Sequence, residues 1–320
     1  MIARYRLRHI ELMALSAVFG CGSTTADNGG PNDSGVPEDV VEAPELVPPP
    51  YDEVLAVRWL VGAGLQLSCA QPKDGDVRCW GRRFAEDGVA VPTARLETLD
   101  LGDWIHCGLL ESGRPSCFGS PWTSISPDED LLDVSTGYGH FCGIRGSDAG
   151  LVCWTLDDAA DEPALHPPEG SFADVDSGYG FSCALTLKGH ARCWGRDDGR
   201  LDAPDERFAT LSLGPDYGCG LTMAGEVRCW GAVSSPNWAG PFALVAAGGW
   251  GICALRASGE LICSGDASLV APSTTSPLRQ IAVGNRHACA ISTTGRVACW
   301  GDVENVDDST LAVPTDLLQD

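Results

Sequence analysis

Short runs along the chain alternate apolar and polar residues with a period of two. Phe172-Ala-Asp-Val-Asp-Ser-Gly178 and Phe208-Ala-Thr-Leu-Ser-Leu-Gly214 are two of them, and this period belongs to strands whose alternate side chains turn inward. The alternation continues downstream of such runs. Leu185, Leu221, Leu255 and Ile291 lie two residues after a cysteine, and Val77, Val227, Leu261 and Val297 two residues before one. They therefore share a strand face with the cysteines.

Fourteen of the 15 cysteines form seven couples: Cys69/Cys79, Cys107/Cys117, Cys142/Cys153, Cys183/Cys193, Cys219/Cys229, Cys253/Cys263 and Cys289/Cys299. Each couple predicts a hairpin whose cysteines face each other, close enough for a disulfide. Six units place glycine six residues after the first cysteine (Gly75, Gly113, Gly189, Gly225, Gly259, Gly295), which suits a three-residue loop ending in the left-handed region. The Cys142 unit is one residue longer, with Gly150 displaced, so its loop is longer or bulged.

Other offsets repeat as well. Glycine stands five residues before every first cysteine, and Ala or Gly follows it. Trp follows the second cysteine in five units, with Phe118 and Ser264 in the others. The small residue is expected to leave room for the indole, and both faces of each hairpin call for burial. First cysteines recur every 34 to 41 residues, a period that points to a repeat architecture. We read the chain as all-β: a seven-bladed β-propeller of three or four short strands per blade, one disulfide-linked hairpin in each. An open solenoid is the rival architecture. Leu311–Pro314 resembles Val89–Pro92 and is a candidate outer strand of the last blade. Glu45–Pro48 and the strand near Val54–Val61 are candidates for bridging the first and last blades.

The N-terminus divides differently. Arg4, Arg6 and Arg8 precede an apolar run from Leu12 to Gly20 that ends at Cys21, the layout of a secretory signal over residues 1–20. The run is too short to span a bilayer, and no later segment is long enough. Val18-Phe-Gly-Cys21 resembles a bacterial lipobox, which implies lipidation at Cys21, the cysteine without a couple. A plain signal peptide cut nearby is the alternative. Residues 21–50 read as a lipidated N-terminus with a disordered linker, and residues 51–316 as the propeller. An exported chain favours disulfides, and the C-x9-C spacing lacks the tight ligand spacing of zinc sites.

Formal charge is −23. Removal of residues 1–20 takes away three Arg and one Glu, a net +2, and leaves −25. Such a surface repels phosphate backbones, so we exclude nucleic acid and expect a protein partner; solubility outside the cell is one reading of the charge, attraction for a basic partner the other. The membrane is reached only through a lipid anchor, and a monomer is expected.

Cys183-Ala-Leu-Thr-Leu-Lys-Gly-His-Ala-Arg-Cys-Trp-Gly195 resembles a repeat of the regulator of chromosome condensation family, as does Gly284-Asn-Arg-His-Ala-Cys-Ala-Ile-Ser-Thr-Thr-Gly-Arg-Val-Ala-Cys-Trp-Gly301. The resemblance covers about residues 53–316 and implies a seven-bladed propeller. The family's His survives only as His140 and His287, and its tail after Trp-Gly is absent. The cysteine-paired variant is similar to versions in secreted and surface proteins of bacteria. Nucleotide exchange and chromatin functions do not carry over, because fold alone licenses no activity.

Candidate chemistry is sparse. His140 and His287 are expected to hydrogen-bond backbone between blades. No nucleophile elbow, phosphate loop or dinucleotide fingerprint occurs. No catalytic, cofactor-binding or metal residue is assigned, and no cofactor is expected. The loop pairs Asp157/Asp158, Asp197/Asp198 and Asp307/Asp308 leave calcium as the ion to test. Trp104, Tyr138, Tyr179, Tyr217 and Trp250 recur just before the hairpins. Packing between blades is one reading of them; a binding face at one propeller mouth is the other. The function expected is a lipoprotein of the bacterial cell envelope, outer membrane or surface, and otherwise a secreted protein. It acts as a protein-binding or scaffold module, enzyme inhibition being one form. The alternative is an envelope polysaccharide hydrolase or lyase using loop carboxylates, which should gather two or more carboxylates in one central cleft.

Overall fold

A computed structural model describes residues 60–72, 75–81, 91–119, 127–155, 163–232, 237–249, 251–266, 276–302 and 311–317. Its strands form seven three-stranded antiparallel sheets, each in sequence order. Blade one holds β1 (Leu60–Ala63), β2 (Ser68–Gln71) and β3 (Arg78–Trp80). Blade two has β4 (Asp100–Leu101), β5 (Ile105–Leu109) and β6 (Pro115–Gly119), and blade three β7 (Leu131–Thr136), β8 (His140–Arg145) and β9 (Leu151–Thr155). In blade four these are β10 (Phe172–Ser177), β11 (Phe181–Thr186) and β12 (Ala191–Gly195), and in blade five β13 (Phe208–Leu213), β14 (Tyr217–Thr222) and β15 (Val227–Gly231). Blade six follows with β16 (Leu244–Ala247), β17 (Gly251–Leu255) and β18 (Leu261–Gly265). Blade seven ends the ring with β19 (Leu278–Val283), β20 (His287–Ser292) and β21 (Val297–Gly301).

The hairpin register agrees with the sequence reading. Cys69 lies directly across from Cys79, Cys107 from Cys117, Cys142 from Cys153 and Cys183 from Cys193. Cys219 likewise faces Cys229, Cys253 faces Cys263 and Cys289 faces Cys299. All seven couples are disulfides, with Cα atoms 4.0–4.1 Å apart. Gly113, Gly189, Gly225, Gly259 and Gly295 occupy the left-handed region, with φ of 79° to 94°; Gly75, expected there too, does not. In the longer blade-three loop it is Ala149, at φ 58°, that takes this conformation rather than Gly150.

Burial within the couples is less even than two buried hairpin faces would give. Every first cysteine sits on a middle strand and is fully buried. The second cysteines sit on the outer strands. Cys79, Cys117 and Cys229 stay buried there, whereas Cys153, Cys193, Cys263 and Cys299 are only half-buried. A middle strand is flanked on both edges, and an outer strand is paired on one. The second cysteines nevertheless join the cores between blades: Cys79 and Cys117 with their own blade's apolar residues, Cys153 beside Leu151, Cys263 beside Leu261 and Cys299 beside Val297.

Packing follows from the two faces of each sheet. The disulfide face of one blade meets the Trp face of the next, and one hydrophobic cluster fills each seam. Between blades four and five, Phe181, Cys183 and Leu185 pack on Phe208, Leu211, Leu213 and Trp230. The ring closes in the same way: Cys289, Ile291 and Val297 of blade seven pack on Val61, Ala70 and Trp80 of blade one. First strands touch their neighbours all the way round, β19 against β1 included. A closed ring, not an open solenoid, is the architecture.

Three further expectations are corrected. Residues 311–314 do not form an outer strand; Val313 and Leu317 instead pack into the seam between blades seven and one. Of the candidate near Val54–Val61, Leu60–Ala63 is the inner strand of blade one and pairs with β2, while residues 54–59 and Glu45–Pro48 lie outside the described residues. Finally, the small residue after the first cysteine makes room for the residue that opens the inner strand. A Cβ at Gly220 would lie 2.3 Å from Phe208 Cδ1, and one at Gly143 2.7 Å from Leu131 Cδ1. The indole faces the residue before the cysteine, as Trp230 faces Gly218.

The glycine five residues before each cysteine has its own cause. A Cβ at Gly64 would lie 2.7 Å from the Gly102 carbonyl oxygen. The same holds for Gly102 with Gly137 (2.5 Å), Gly137 with Gly178 (2.3 Å) and Gly178 with Gly214 (2.6 Å). Gly214 meets Gly248 (2.8 Å), Gly248 meets Gly284 (2.2 Å), and Gly284 returns to Gly64 (2.5 Å). Seven glycines thus form an unbroken ring in which backbone passes backbone with no room for a side chain.

Candidate binding face and central channel

The loops after the glycine ring crowd one mouth of the propeller. Tyr138 and Tyr179, each directly after a ring glycine, come together with ring centroids 4.4 Å apart. The Tyr138 amide donates to the Gly178 carbonyl at 3.2 Å, which fixes the two loops against each other. Tyr138 is 41% exposed, and the Arg196 guanidinium lies 5.5 Å over the Tyr179 ring. Trp104 occupies the corresponding loop of blade two and is half-buried.

Tyr217 leaves this face. It is 6% exposed, and its hydroxyl reaches the carbonyls of Gly248 at 2.7 Å and Gly251 at 2.9 Å in the next blade. It stands three residues after its ring glycine, the position of His140 and His287, so its side chain starts a strand and points into the seam. Trp250 and Cys21 lie outside the described residues.

The two histidines do bridge blades, but mainly to side chains. His140 Nε2 lies 2.9 Å from the Ser182 hydroxyl, and His287 Nε2 2.9 Å from that of Ser68. Burial lowers both to about 4, against the smaller pull of the Tyr138 and Leu67 backbone. They are neutral spacers at neutral pH.

An anchor that the sequence reading passed over is Arg200, in the connection between blades four and five. It is 6% exposed. Its guanidinium pairs with Asp198 and with Asp216 at 2.9 Å, and donates to the Tyr179 and Pro215 carbonyls at 2.7 and 3.2 Å. The loop under Tyr179 is thereby held on both sides. Asp198 is committed to this cluster; Asp157/Asp158 and Asp307/Asp308 lie outside the described residues. Among the described residues no group of three or more His, Cys, Asp or Glu is arranged to hold a metal.

Carboxylates do converge, on the inner strands rather than the loops. Two residues before each ring glycine, the channel wall carries Gly62, Asp100, Ser135, Asp176, Ser212, Ala246 and Ala282. Asp100 Oδ2 accepts from Thr136 N (2.6 Å), Thr136 Oγ1 (3.1 Å) and Ser135 Oγ (3.0 Å). Asp176 Oδ1 contacts Ser135 Oγ at 2.7 Å and accepts from Ser177 N at 3.0 Å, while its Oδ2 accepts from Leu213 N at 2.8 Å. Desolvation raises Asp100. Desolvation, then the Asp100 charge, raises Asp176 to about 8. Asp133 is pushed well up by burial and by Asp174, and Asp174 Oδ2 accepts from Leu211 N at 2.9 Å. These acids tie β4 to the backbone of β7, β7 to that of β10 and β10 to that of β13. The readable signal is the alternation Asp174-Val-Asp176, whose acids lie across from Leu185 and Cys183 and so turn to the disulfide face, toward the next blade.

Known proteins bear on the fold. The regulator of chromosome condensation (RCC1) repeat matches residues 172–199 and 278–305, in blades four and seven. The chain is similar to the ectodomain of the Physcomitrella patens receptor kinase CR4, with TM-score 0.64 and 24% identity over 76% of this chain and 72% of that one. It is equally similar to the CRINKLY WD40 ectodomain of the Arabidopsis thaliana receptor kinase ACR4, with TM-score 0.63 and 24% identity over 76% and 94%. The serine/threonine-protein kinase-like protein CCR2 of Arabidopsis thaliana is 26% identical over 163 residues, 40% of this chain. The match spans only 20% of that protein's length.

Proposed function

We propose that this chain, a propeller of regulator of chromosome condensation repeats, is an exported scaffold that binds a protein partner on the mouth carrying Tyr138 and Tyr179. One observation carries the reading: a tyrosine pair, Tyr138 exposed and Tyr179 half-buried, sits on loops pinned by the glycine ring and by Arg200. Aromatic anchors on a rigid base lose little entropy on binding. Trp104, half-buried in the corresponding loop of blade two, extends the face.

Seven disulfides fit an oxidising compartment. The signal-like N-terminus and Cys21 point to lipid anchoring in a bacterial envelope, and acyl chains found on Cys21 by mass spectrometry would support it. A charge of −25 after removal of residues 1–20 favours a partner with a basic surface. Inhibition by covering an enzyme's active site is one form such binding takes. The polysaccharide hydrolase or lyase reading is weaker, since the carboxylates that converge in the channel spend their oxygens on blade seams.

The test is capture from envelope extracts with the disulfide-intact domain, beside the double variant Tyr138→Ala/Tyr179→Ala. A partner retained by the parent, lost from the variant and released by salt supports the proposal. Equal capture by both, or glycan turnover with no protein partner, overturns it.

A further inference from the structure

The contacts around Ser135 contain a proton count that two ionised carboxylates cannot satisfy. Its oxygen lies 3.0 Å from Asp100 Oδ2 and 2.7 Å from Asp176 Oδ1, and accepts from Ser177 N at 3.1 Å. A hydroxyl has one proton to donate. If it goes to Asp100, the shorter contact sets an oxygen lone pair against a carboxylate oxygen unless Asp176 itself carries a proton.

We propose that Asp100 and Asp176 hold one proton between them across Ser135 at neutral pH, and that this proton latches blades two, three and four together at the channel wall. Hydrogen bonds decide where it sits. Asp100 Oδ2 collects three donors, the surroundings of a carboxylate. Asp176 Oδ1 has one backbone donor, from Ser177, and its shortest contact is to Ser135. Asp176 therefore donates to Ser135, and Ser135 donates to Asp100. Oδ2 of Asp176 stays free to accept from Leu213 N and ties in blade five.

The surroundings reinforce this. The charged groups acting on Asp176 are Asp100 and Asp174, both acidic. The facing strand β7 adds Asp133 one step along the channel, itself raised by burial and by Asp174. On the other inner strands the residues at the latch level are Gly62, Ser212, Ala246 and Ala282, none of them charged. Desolvation and two acidic neighbours both favour keeping the proton.

Linkage sets the direction. A carboxyl with a raised folded pKa binds more protons folded than unfolded. Its contribution is fully present below the unfolded value of 3.8 and is lost as pH rises through about 8. The experiment is thermal unfolding of the full chain, disulfides intact, from about pH 6 to about pH 9. The parent should lose melting temperature as pH rises from about 6 to about 8 and level off above that. Asp176→Asn, an amide that donates to Ser135 and accepts from Leu213 as the protonated acid does, should show no such loss. The same alkaline loss in Asp176→Asn would overturn the latch. Should that variant not fold, difference infrared spectroscopy of the parent decides. A protonated-carboxyl C=O band at neutral pH that vanishes above about pH 9 supports the proposal; its absence at neutral pH refutes it.

Discussion

Substitution of Gly248 by Ala tests whether the ring of seven glycines holds the propeller closed. The new Cβ would lie 2.2 Å from the Gly284 carbonyl oxygen and 2.6 Å from Val283 Cγ1. Ordinary contact begins at 3.4 Å, so blade six would have to withdraw from blade seven by the difference, 1.2 Å. Backbone cannot swing aside as a side chain end can, and overpacking of this kind costs about 1–3 kcal/mol. The same shift stretches the 2.9 Å bond from Gly249 N to Gly284 O, adding about 0.5–1.5 kcal/mol. The sum, roughly 1.5–4.5 kcal/mol, should lower the melting temperature by roughly 2–4 °C for each kcal/mol in a domain of this size. Gly139→Ala is the control. Nothing lies within 4 Å of its Cβ, but its φ is +79°, so it suffers only left-handed strain of about 1–2 kcal/mol. Chemical denaturation of both variants without reductant gives the comparison. Gly248→Ala no more destabilised than Gly139→Ala would refute close backbone approach as the reason for the glycine.

Two further outcomes follow from the seams. His140 and His287 are lowered to about 4 from 6.5, so unfolding takes up protons between those values and stability should fall as pH drops through this window. His140→Gln/His287→Gln should flatten that acid limb, and an unchanged slope would remove the histidines as its cause. The first cysteine of every couple is fully buried, so reductant should leave most disulfides intact until denaturant is added. Any that open early should be those whose second member is half-buried, at Cys153, Cys193, Cys263 or Cys299, before those at Cys79, Cys117 and Cys229. Thiol labelling with peptide mapping checks both access and pairing, and links between hairpins would contradict the register. Once reduced, each hairpin loses a constraint of about 2–3 kcal/mol on the chain-entropy view.

How far the sequence could be read varied from residue to residue. Gly113 and Gly295 announced left-handed turns because a short hairpin loop needs one, and that need is local. Ala149 shows the limit of this logic: in a longer loop the left-handed residue need not be the nearby glycine. His140, His287 and Tyr217 share one offset from the ring glycine, yet their different chemistries hid a common task, the bridge to the next blade. Tyr217 follows the packing reading of the aromatics before the hairpins, not the binding-face one. Arg200 lies in a connection with no repeat register, and nothing local marks where its guanidinium reaches.

The blade follows from the chain's local pattern: its strand alternation, cysteine pairing, turn glycines and number of copies. These depend on interactions within about ten residues of chain, and sevenfold repetition makes them legible. What lies between blades follows from their packing around the axis. Closure of the ring, the partners of His287 and Tyr217, and the meeting of Asp100, Ser135 and Asp176 join residues 31 to 219 positions apart. No local pattern records those pairings. They exist because stacking seven twisted sheets around one axis brings the same offset of each blade against the backbone of the next.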